Sequence, residues 1–317
     1  MNNYSKQVEL LVKLLSYIAE EECFALKGGT AINLFYRNMP RISVDIDLTY
    51  VYFNDRNTAY KEINEALGRI KDKLNSIGFN TIFKESSKEE KKLFCFYKDT
   101  YVKIEPNYTM RGYSSEPKQM SVTEKVQSTL NSFATMNIVS FEEVYGGKIC
   151  AALNRQHPRD LFDIKHLLEN EGFNEDVKKG FIIALLSDKR PIHETLRPNL
   201  KEDQKEIFEK EFEGMTDRPF TFEEHKKAFN KLVDVIHNSL TEQDKKFLLD
   251  FVKLEHKWED INIPNIEKLP AISWKTLNLK TLKETDENKF MQQHDLLEES
   301  LKPALLQNKL LNVKKWW

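Results

Sequence analysis

Hydrophobic and polar positions follow two different spacings in the first 140 residues of the chain. Residues 4–22 and 57–77 repeat apolar side chains at helical spacing, which predicts two amphipathic helices. A shorter helix is predicted over residues 30–38, directly after a glycine pair. Short apolar or alternating runs have the length of strands: 23–26, 42–51, 79–85, 92–98, 101–108 and 132–140. Together these elements predict a small mixed sheet flanked by helices.

The pattern changes near residue 140, and almost everything after it has helical spacing. Ser140 and Glu143 have the spacing of a capping box, which marks the start of a helix. Pro158 suits the first turn of the next helix. We therefore expect an α+β protein with two domains. Residues 1–139 would carry the sheet, and residues 140–317 would be mostly helical.

Composition limits the classes of function that the chain can have. Its 317 residues are 40% hydrophobic and 31% charged, which is typical of a globular protein. The net charge of −2 gives no general attraction to nucleic acid or lipid, although 48 Lys and Arg could build a local basic groove. The longest apolar run, Phe181–Leu186, is too short to cross a bilayer, and the N-terminus has no signal-peptide pattern. We expect a cytoplasmic protein without a membrane segment.

Two aspartates in the run SVDIDLT are the strongest indication of chemistry. Side chains alternate along a strand, so Ser43, Asp45, Asp47 and Thr49 should share one face. Two carboxylates on one face, roughly 7 Å apart, repel each other unless a cation lies near them. Magnesium or manganese would resolve that repulsion, because both prefer oxygen ligands. An amphipathic strand with solvated acids is the alternative.

A glycine pair precedes this strand. Gly28, Gly29 and Thr30 stand at the start of a predicted helix and offer unhindered backbone N–H groups, which favours an anion such as a phosphate. A tight turn is the simpler alternative for the glycines. Taken with Asp45 and Asp47, they predict phosphates bound at the glycines and a metal that bridges those phosphates to the aspartates.

Polar residues on neighbouring predicted elements extend this site. Lys103 and Glu105 share one face of the run YVKIEPNY. Glu105 is therefore a candidate third metal ligand or base, and Lys103 a candidate phosphate contact. Ser43 could donate a hydrogen bond to a triphosphate. Arg41 could reach a phosphate, or be a solvated surface arginine.

The combined pattern resembles the AbiEii/AbiGii nucleotidyltransferase toxin family, which belongs to the DNA polymerase β-like nucleotidyltransferase superfamily. The residues that carry the resemblance are Gly28, Gly29, Thr30, Ala31, Arg41, Ser43, Asp45, Ile46 and Asp47, followed downstream by Lys148, Arg159, Asp160 and Asp163. Lys148 lies in the apolar run YGGKICAAL, and the others form RDLFD. No motif beyond residue 170 contributes to the resemblance.

The resemblance implies a polymerase-β-like mixed sheet followed by a helical domain. It also implies a reaction in which a nucleoside monophosphate moves from an NTP to an acceptor hydroxyl, with the 3′ end of a tRNA as the acceptor. The biological role would be that of a type IV toxin or phage-defence protein restrained by an antitoxin. Asp45, Asp47 and Glu105 would bind Mg²⁺ (or Mn²⁺) in this reaction.

The residues after position 140 have more than one interpretation. Lys148 is a candidate γ-phosphate contact, and a snorkelling lysine is the alternative. Arg155 shares the helix face of Lys148 and, like Arg159, is a further nucleotide-binding candidate. Asp160 and Asp163 are expected to pair with these arginines and orient them rather than to bind metal.

Three other classes of protein fit parts of the same pattern. DIDLT matches the signature of haloacid-dehalogenase-like phosphatases, but the strand before the first Asp should be strongly apolar in that class and is MPRIS here, and the later acidic motif is lacking. A nucleotide-binding protein without turnover is a second alternative, and a D-x-D glycosyltransferase a weaker third. Trp316 and Trp317 could stack on a base, although a packed or frayed terminus is the simpler interpretation.

Overall fold

The computed structural model describes residues 3–85, 87, 89–199, 201, 203–216 and 218–302. The strands within these residues are β1 (Phe24–Lys27), β2 (Asp45–Tyr50), β3 (Asn80–Glu85), β4 (Lys91–Tyr97), β5 (Thr100–Asn107), β6 (Lys118–Ser121) and β7 (Thr135–Ile138). Trp316 and Trp317, considered above as residues that could stack on a base, lie outside the described residues. No described helix is both long enough and apolar enough to span a bilayer.

Helices surround the sheet and make up most of the described chain outside it. The helices of the first half are α1 (Asn3–Ile18), α2 (Gly28–Ala31), α3 (Arg56–Ser76) and α4 (Glu124–Leu130). The later helices are α5 (Phe141–Arg155), α6 (Pro158–Asn170), α7 (Glu175–Ser187), α8 (Ile192–Leu196), α9 (Gln204–Glu211), α10 (Phe222–Ser239), α11 (Glu242–Lys253), α12 (Pro270–Thr285) and α13 (Glu287–Ser300). The α+β class predicted from the sequence is confirmed.

The seven strands form one mixed sheet in the order β3-β4-β5-β2-β1-β7-β6. β2 runs parallel to β5 and β1 runs parallel to β7, whereas the other neighbours are antiparallel. A parallel pair needs a long crossover, and α3 with the β3–β4 hairpin supplies it between β2 and β5. The aspartate strand β2 is therefore the central strand, with β1 on one side and β5 on the other.

The hydrophobic pattern explains which faces of these elements are buried. Ile46 and Leu48 of β2 are fully buried, and Asp45 and Asp47, which alternate with them, point to the opposite face. Helix α1 buries its apolar side chains, and α3 buries Ile63 and Leu67. Buried hydrophobic residues form one cluster that reaches from the sheet into the later helices. The division into two domains at residue 140 therefore remains a prediction.

Four elements differ from the sequence prediction. β2 begins at Asp45 rather than at residue 42, because Ile42 donates its backbone N–H to the Met215 carbonyl instead of to a strand. The helix after the glycines is present, but it continues as a π-helix over Ile32–Tyr36. β6 and α4 were not predicted, since β6 has no fully buried residue and α4 buries only Val126.

The start of the helical half agrees with the sequence. Ser140 caps α5, and Pro158 opens α6. α5 and α7 then approach so closely that their backbones touch at two glycines. A Cβ on Gly146 would lie 2.1 Å from the carbonyl oxygen of Gly180, and a Cβ on Gly180 would lie 1.9 Å from that of Glu142. This crossing fixes α5, the helix that carries Lys148.

Candidate active site

Strand pairing brings five charged residues to one face of the sheet. In the parallel pair, Asp45 lies opposite Lys103 and Asp47 lies opposite Glu105. In the antiparallel pair of β1 and β2, Lys27 lies opposite Asp47. Residues directly opposite each other project to the same side of a sheet. The structure thus brings together Asp45, Asp47, Lys103 and Glu105, as the sequence predicted, and adds Lys27.

The first glycine lies against the second aspartate. Gly28 has φ +70°, and a Cβ at this position would lie 2.3 Å from Oδ2 of Asp47. A Cβ on Gly29 would lie 2.8 Å from Nη2 of Arg41 and 3.0 Å from Oγ of Ser43. A Cβ at Gly28 would thus displace the Asp47 carboxylate, and one at Gly29 would displace Arg41 or Ser43; the positive φ of Gly28 further favours glycine there.

Thr30 ties the glycine loop to the aspartate strand. It is fully buried, and its hydroxyl donates to the Asp45 carbonyl oxygen and lies 3.0 Å from Oγ of Ser43. Since a hydroxyl has one proton and the carbonyl can only accept, the Ser43 hydroxyl donates to Thr30. Both hydroxyls therefore hold the loop in place. A phosphate contact from Thr30 would involve its backbone N–H.

Asp47 lies partly buried beside a second carboxylate, Asp45. Burial raises its pKa, and the neighbouring charge of Asp45 raises it further. Lys27, Lys148 and Lys103 oppose this rise by stabilising the carboxylate. The two aspartates repel each other without a bound cation, as expected for a pair of carboxylates that shares one.

Lys27 was not recognised from the sequence. Burial lowers its pKa, although Asp47 and Glu143 favour its charged form. Among the described residues it forms no ion pair within 4.0 Å, so its ammonium group is available to a ligand. A lysine that ends a buried strand directly before a glycine pair is the sequence feature that could have identified it.

Glu105 is engaged by two lysines. Its Oε2 lies 2.6 Å from Nζ of Lys103, and Lys92 contacts its other oxygen. Burial disfavours the charged form of Glu105, but these two lysines outweigh that effect and lower its pKa. Lys103 also lies 3.7 Å from Oδ1 of Asp45. No three Asp, Glu, His or Cys side chains in the described part of the chain are arranged to hold a metal ion.

The donor chemistry therefore fits a divalent cation held by two carboxylates. Asp45 and Asp47 offer oxygen atoms, which Mg²⁺ and Mn²⁺ prefer. Magnesium usually keeps several waters and takes further oxygens from substrate phosphates, so two protein ligands suffice. The role of Glu105 as a third ligand remains a prediction.

The helical half contributes a buried cluster of charges. Nζ of Lys148 lies 3.0 Å from Asp160 and 3.3 Å from Asp163. Arg155 contacts Asp160 through two nitrogens, and Lys148 and Arg155 together hold the pKa of Asp160 well below its usual range despite burial. Asp160 thus holds both Lys148 and Arg155, and Asp163 also holds Lys148. Lys148 lines a cavity together with Asp47 of the sheet.

Two residues of this cluster differ from their predicted surroundings. Arg41 is 3% exposed and donates from two nitrogens to Asp163, so it is not a surface arginine. Arg159 pairs with neither Asp160 nor Asp163 among the interactions of the described residues, whereas Arg155 pairs with Asp160 as predicted. Whether Arg41 or Arg159 also contacts a nucleotide remains a prediction.

A cavity of about 330 Å³ joins the two halves of the site. The lining from the sheet side includes Lys27, Gly28, Gly29 and Asp47, and the lining from α5 includes Glu143, Lys148 and Arg155. Apolar side chains of α5 and α7, including Val144 and Ile183, line another part of the cavity. One wall thus carries cations and glycine backbone, and another is apolar. This division suits a ligand with a polyanionic part and a flat, less polar part.

Comparisons with known proteins agree with this geometry. The model of the family described as "Nucleotidyl transferase AbiEii toxin, Type IV TA system" matches residues 9–260. Among curated proteins, none matches the chain. MenT4, a nucleotidyltransferase toxin from Mycobacterium tuberculosis H37Rv, is similar in structure, with a TM-score of 0.58 and 14% identity. The match covers 77% of this chain and 87% of that one.

The family match resolves the alternatives raised by DIDLT. It spans the sheet, the glycine loop, both aspartates and the Lys148 cluster, and it favours a nucleotidyltransferase over a phosphatase or a protein without turnover. The polymerase-β-like fold implied by the sequence agrees with the structural likeness to MenT4. The chain belongs to the AbiEii family of nucleotidyltransferase toxins from type IV toxin–antitoxin systems.

Proposed function

We propose that this toxin moves a nucleoside monophosphate from an NTP to a hydroxyl at the 3′ end of a tRNA, with Mg²⁺ (or Mn²⁺) as its metal. We further propose that it acts in the cytoplasm, where a cognate antitoxin restrains it. The cavity between Asp47, the glycine loop and Lys148 carries the proposal. Among the cavities of the described residues, this one brings a candidate metal-binding aspartate together with several groups that could bind phosphate.

The triphosphate would lie along the cationic wall of the cavity. Gly28 and Gly29 let phosphate oxygens approach the backbone, and Lys27 lies beside them without an ion pair among the described residues. Lys148 faces the same space and is held by Asp160 and Asp163. These cations would neutralise the phosphates and orient the pyrophosphate that leaves.

Asp45 and Asp47 would hold the metal at the α-phosphate. When bound, the ion would lower the pKa of the acceptor hydroxyl and neutralise charge on the transferred phosphoryl group. Lys103, held by Glu105, lies 3.7 Å from Oδ1 of Asp45 and adds a positive charge beside the proposed metal site. The apolar wall near Val144 and Ile183 would exclude water from the nucleoside.

The identity of the acceptor is supported less directly than the transfer itself. The tRNA end and the antitoxin are implied by resemblance to the AbiEii family, whose model is described as part of a type IV system. A protein hydroxyl is the competing acceptor, since the same chemistry would serve it.

The test is to incubate total RNA with each α-labelled NTP, with and without Mg²⁺. Label should enter RNA only with the metal, and from one preferred NTP. Asp47→Asn keeps the size of the side chain but removes the charge, so it should abolish labelling and toxicity. Asp72→Asn, on the exposed side of α3, is the matched control and should behave as the wild type.

Two results would contradict the proposal. Retained labelling in Asp47→Asn, with its fold verified by circular dichroism, would remove the aspartates from the reaction. Label that enters protein but never RNA would keep the nucleotidyl transfer and exclude the tRNA acceptor.

A further inference from the structure

A second cavity, of about 570 Å³, lies next to the nucleotide cavity. Arg111 lines both, so the two spaces meet at this side chain. We call the second cavity the aromatic groove. Its lining includes Phe53, Arg56, Tyr60, Arg111, Lys268 and Trp274. The transfer reaction proposed above assigns none of these residues a role.

Arg111 is a buried cation that forms no ion pair within 4.0 Å among the described residues, although the charge of Asp55 lies near it. It is 6% exposed, and its Nε has no hydrogen-bond partner among the described residues. Its Nη1 reaches only the backbone oxygens of Asn54 at 3.5 Å and Asp55 at 3.3 Å. Burying an unpaired charge is costly, so such a group is expected to receive an anion from a ligand.

The loop that carries Arg111 is held in place from both sides. The N–H of Gly112 donates to the Tyr50 carbonyl at 2.8 Å. A short distance on, the Glu143 carboxylate accepts the backbone N–H groups of Ser114 and Ser115. Arg111 is therefore presented to both cavities by a fixed backbone, which lowers the entropic cost of binding an anion.

Aromatic rings and cations line the groove together. Trp274 is 53% exposed, which is unusual for the largest apolar side chain. The guanidinium of Arg56 lies 4.6 Å from the centre of the Tyr60 ring, and that of Arg111 lies 5.9 Å from the same ring. Exposed rings interleaved with cations are the arrangement by which proteins bind unpaired bases and the phosphates between them.

The charge of the groove also favours a polyanion. Three of its four charged lining residues are cations: Arg111, Lys268 and Arg56, of which Arg56 also pairs with Glu89 at 2.7 Å. The fourth, Asp55, is occupied as the N-cap of α3, where it accepts the N–H groups of Asn57 and Thr58. The chain as a whole has a net charge of −2, so this local excess of positive charge is not a property of the whole surface.

We propose that the aromatic groove binds the single-stranded end of the acceptor RNA, with a phosphodiester at Arg111 and a base stacked on Trp274. This inference rests on the proposed transfer to RNA. Because Arg111 lines both cavities, a strand bound in the groove passes its terminal hydroxyl into the space beside Asp47. A duplex would keep its bases stacked on one another and offer none to Trp274.

The test measures RNA binding and nucleotide binding separately. A fluorescein-labelled single-stranded RNA with a free 3′ hydroxyl is titrated with the full chain, and fluorescent NTP analogues are titrated in parallel. Trp274→Ala should weaken RNA binding about tenfold, the loss expected for one stacked base, and leave NTP affinity unchanged. Phe133→Ala removes an equally exposed ring from the turn before β7 and serves as the matched control.

Arg111→Met provides an independent measurement. It removes the charge and keeps the length of the side chain, so the salt dependence of RNA binding should fall by about 0.7 in log–log slope. Its thermal stability should be equal to or higher than that of the wild type, because an unpaired buried charge has been removed. Duplex RNA of the same sequence should bind more weakly than the single strand to the wild type.

The outcomes separate this inference from the proposed function. Wild-type RNA affinity in both Trp274→Ala and Arg111→Met overturns the groove, even if transfer to RNA is intact. Equal losses of RNA and NTP binding also overturn it, since the groove would then belong to the nucleotide site. RNA binding that depends on Trp274, with no transfer to any RNA, supports the groove and rejects the proposed acceptor.

Discussion

Replacing Gly28 by alanine tests whether the glycine loop sets the position of the metal-binding aspartate. The new Cβ would lie 2.3 Å from Oδ2 of Asp47 and 3.1 Å from its Cβ and Cγ. The carboxylate must therefore move by about 1 Å to reach an ordinary contact distance. The substitution adds one methyl group and no charge, so any effect on catalysis arises from position.

Two costs follow, and they can be measured separately. A residue with a Cβ at φ +70° loses about 1–2 kcal/mol of unfolding free energy, because the left-handed region is strained for L-amino acids. A displacement of about 1 Å in a reacting group costs about 100-fold in rate. We therefore expect a modest loss of stability together with a large loss of nucleotidyl transfer.

The assay compares transfer rates with urea unfolding. Gly78→Ala is the matched control, because Gly78 has φ +93° and open space where its Cβ would lie. It should lose a similar amount of stability and retain wild-type transfer. Gly68→Ala, in the middle of α3 with nothing within 4 Å, should retain transfer and gain about 0.5–1 kcal/mol of stability, because alanine favours a helix over glycine. Wild-type transfer by Gly28→Ala, or an equal loss in Gly78→Ala, would refute the proposed contact with Asp47.

Further substitutions test the surroundings of the site. Lys27→Met should weaken NTP binding, measured by titration, about tenfold or more, because it removes a cation that faces the phosphates. Its melting temperature, measured by calorimetry, should be unchanged or higher, because that buried cation is unpaired. Gly146→Ala should lower the unfolding free energy in urea by about 3 kcal/mol or more, because the new Cβ meets the rigid backbone of Gly180. Asp160→Asn should cost about 3–5 kcal/mol in the same assay, since Lys148 loses one of its two buried carboxylate partners and Arg155 loses its partner. The pKa of Asp160 is lowered in the folded state, so the difference between wild type and Asp160→Asn should persist at neutral pH and shrink as pH falls below about 4.

Much of the active site could be predicted from short stretches of the sequence. The alternation in SVDIDLT places Asp45 and Asp47 on one face in any strand, whatever its neighbours, because the side-chain period of a strand is 2. The glycine pair and its φ +70° position follow from the same local reasoning. The helix starts at Ser140 and Pro158 were also predicted correctly, since caps act within one turn.

Ion pairs between residues far apart in the chain could not be predicted from such short stretches. Arg41 pairs with Asp163, 122 positions away, and a pattern read within a short window cannot show that. The same holds for Arg111, which lies in a loop with no motif of its own. β6 and α4 were missed because neither shows the periodic burial on which sequence-based prediction depends.

The sequence by itself determined the α+β class, the two aspartates on one strand face and the glycine loop beside them, because these depend on backbone periodicity and on sterics between neighbours in the chain. Only the tertiary structure decided the strand order. That order sets Lys27 and Lys103 beside the aspartates and brings α5 with Lys148 across the cavity. The physical reason is that strand pairing and helix packing join residues far apart in the chain, and many pairings satisfy the same local pattern equally well.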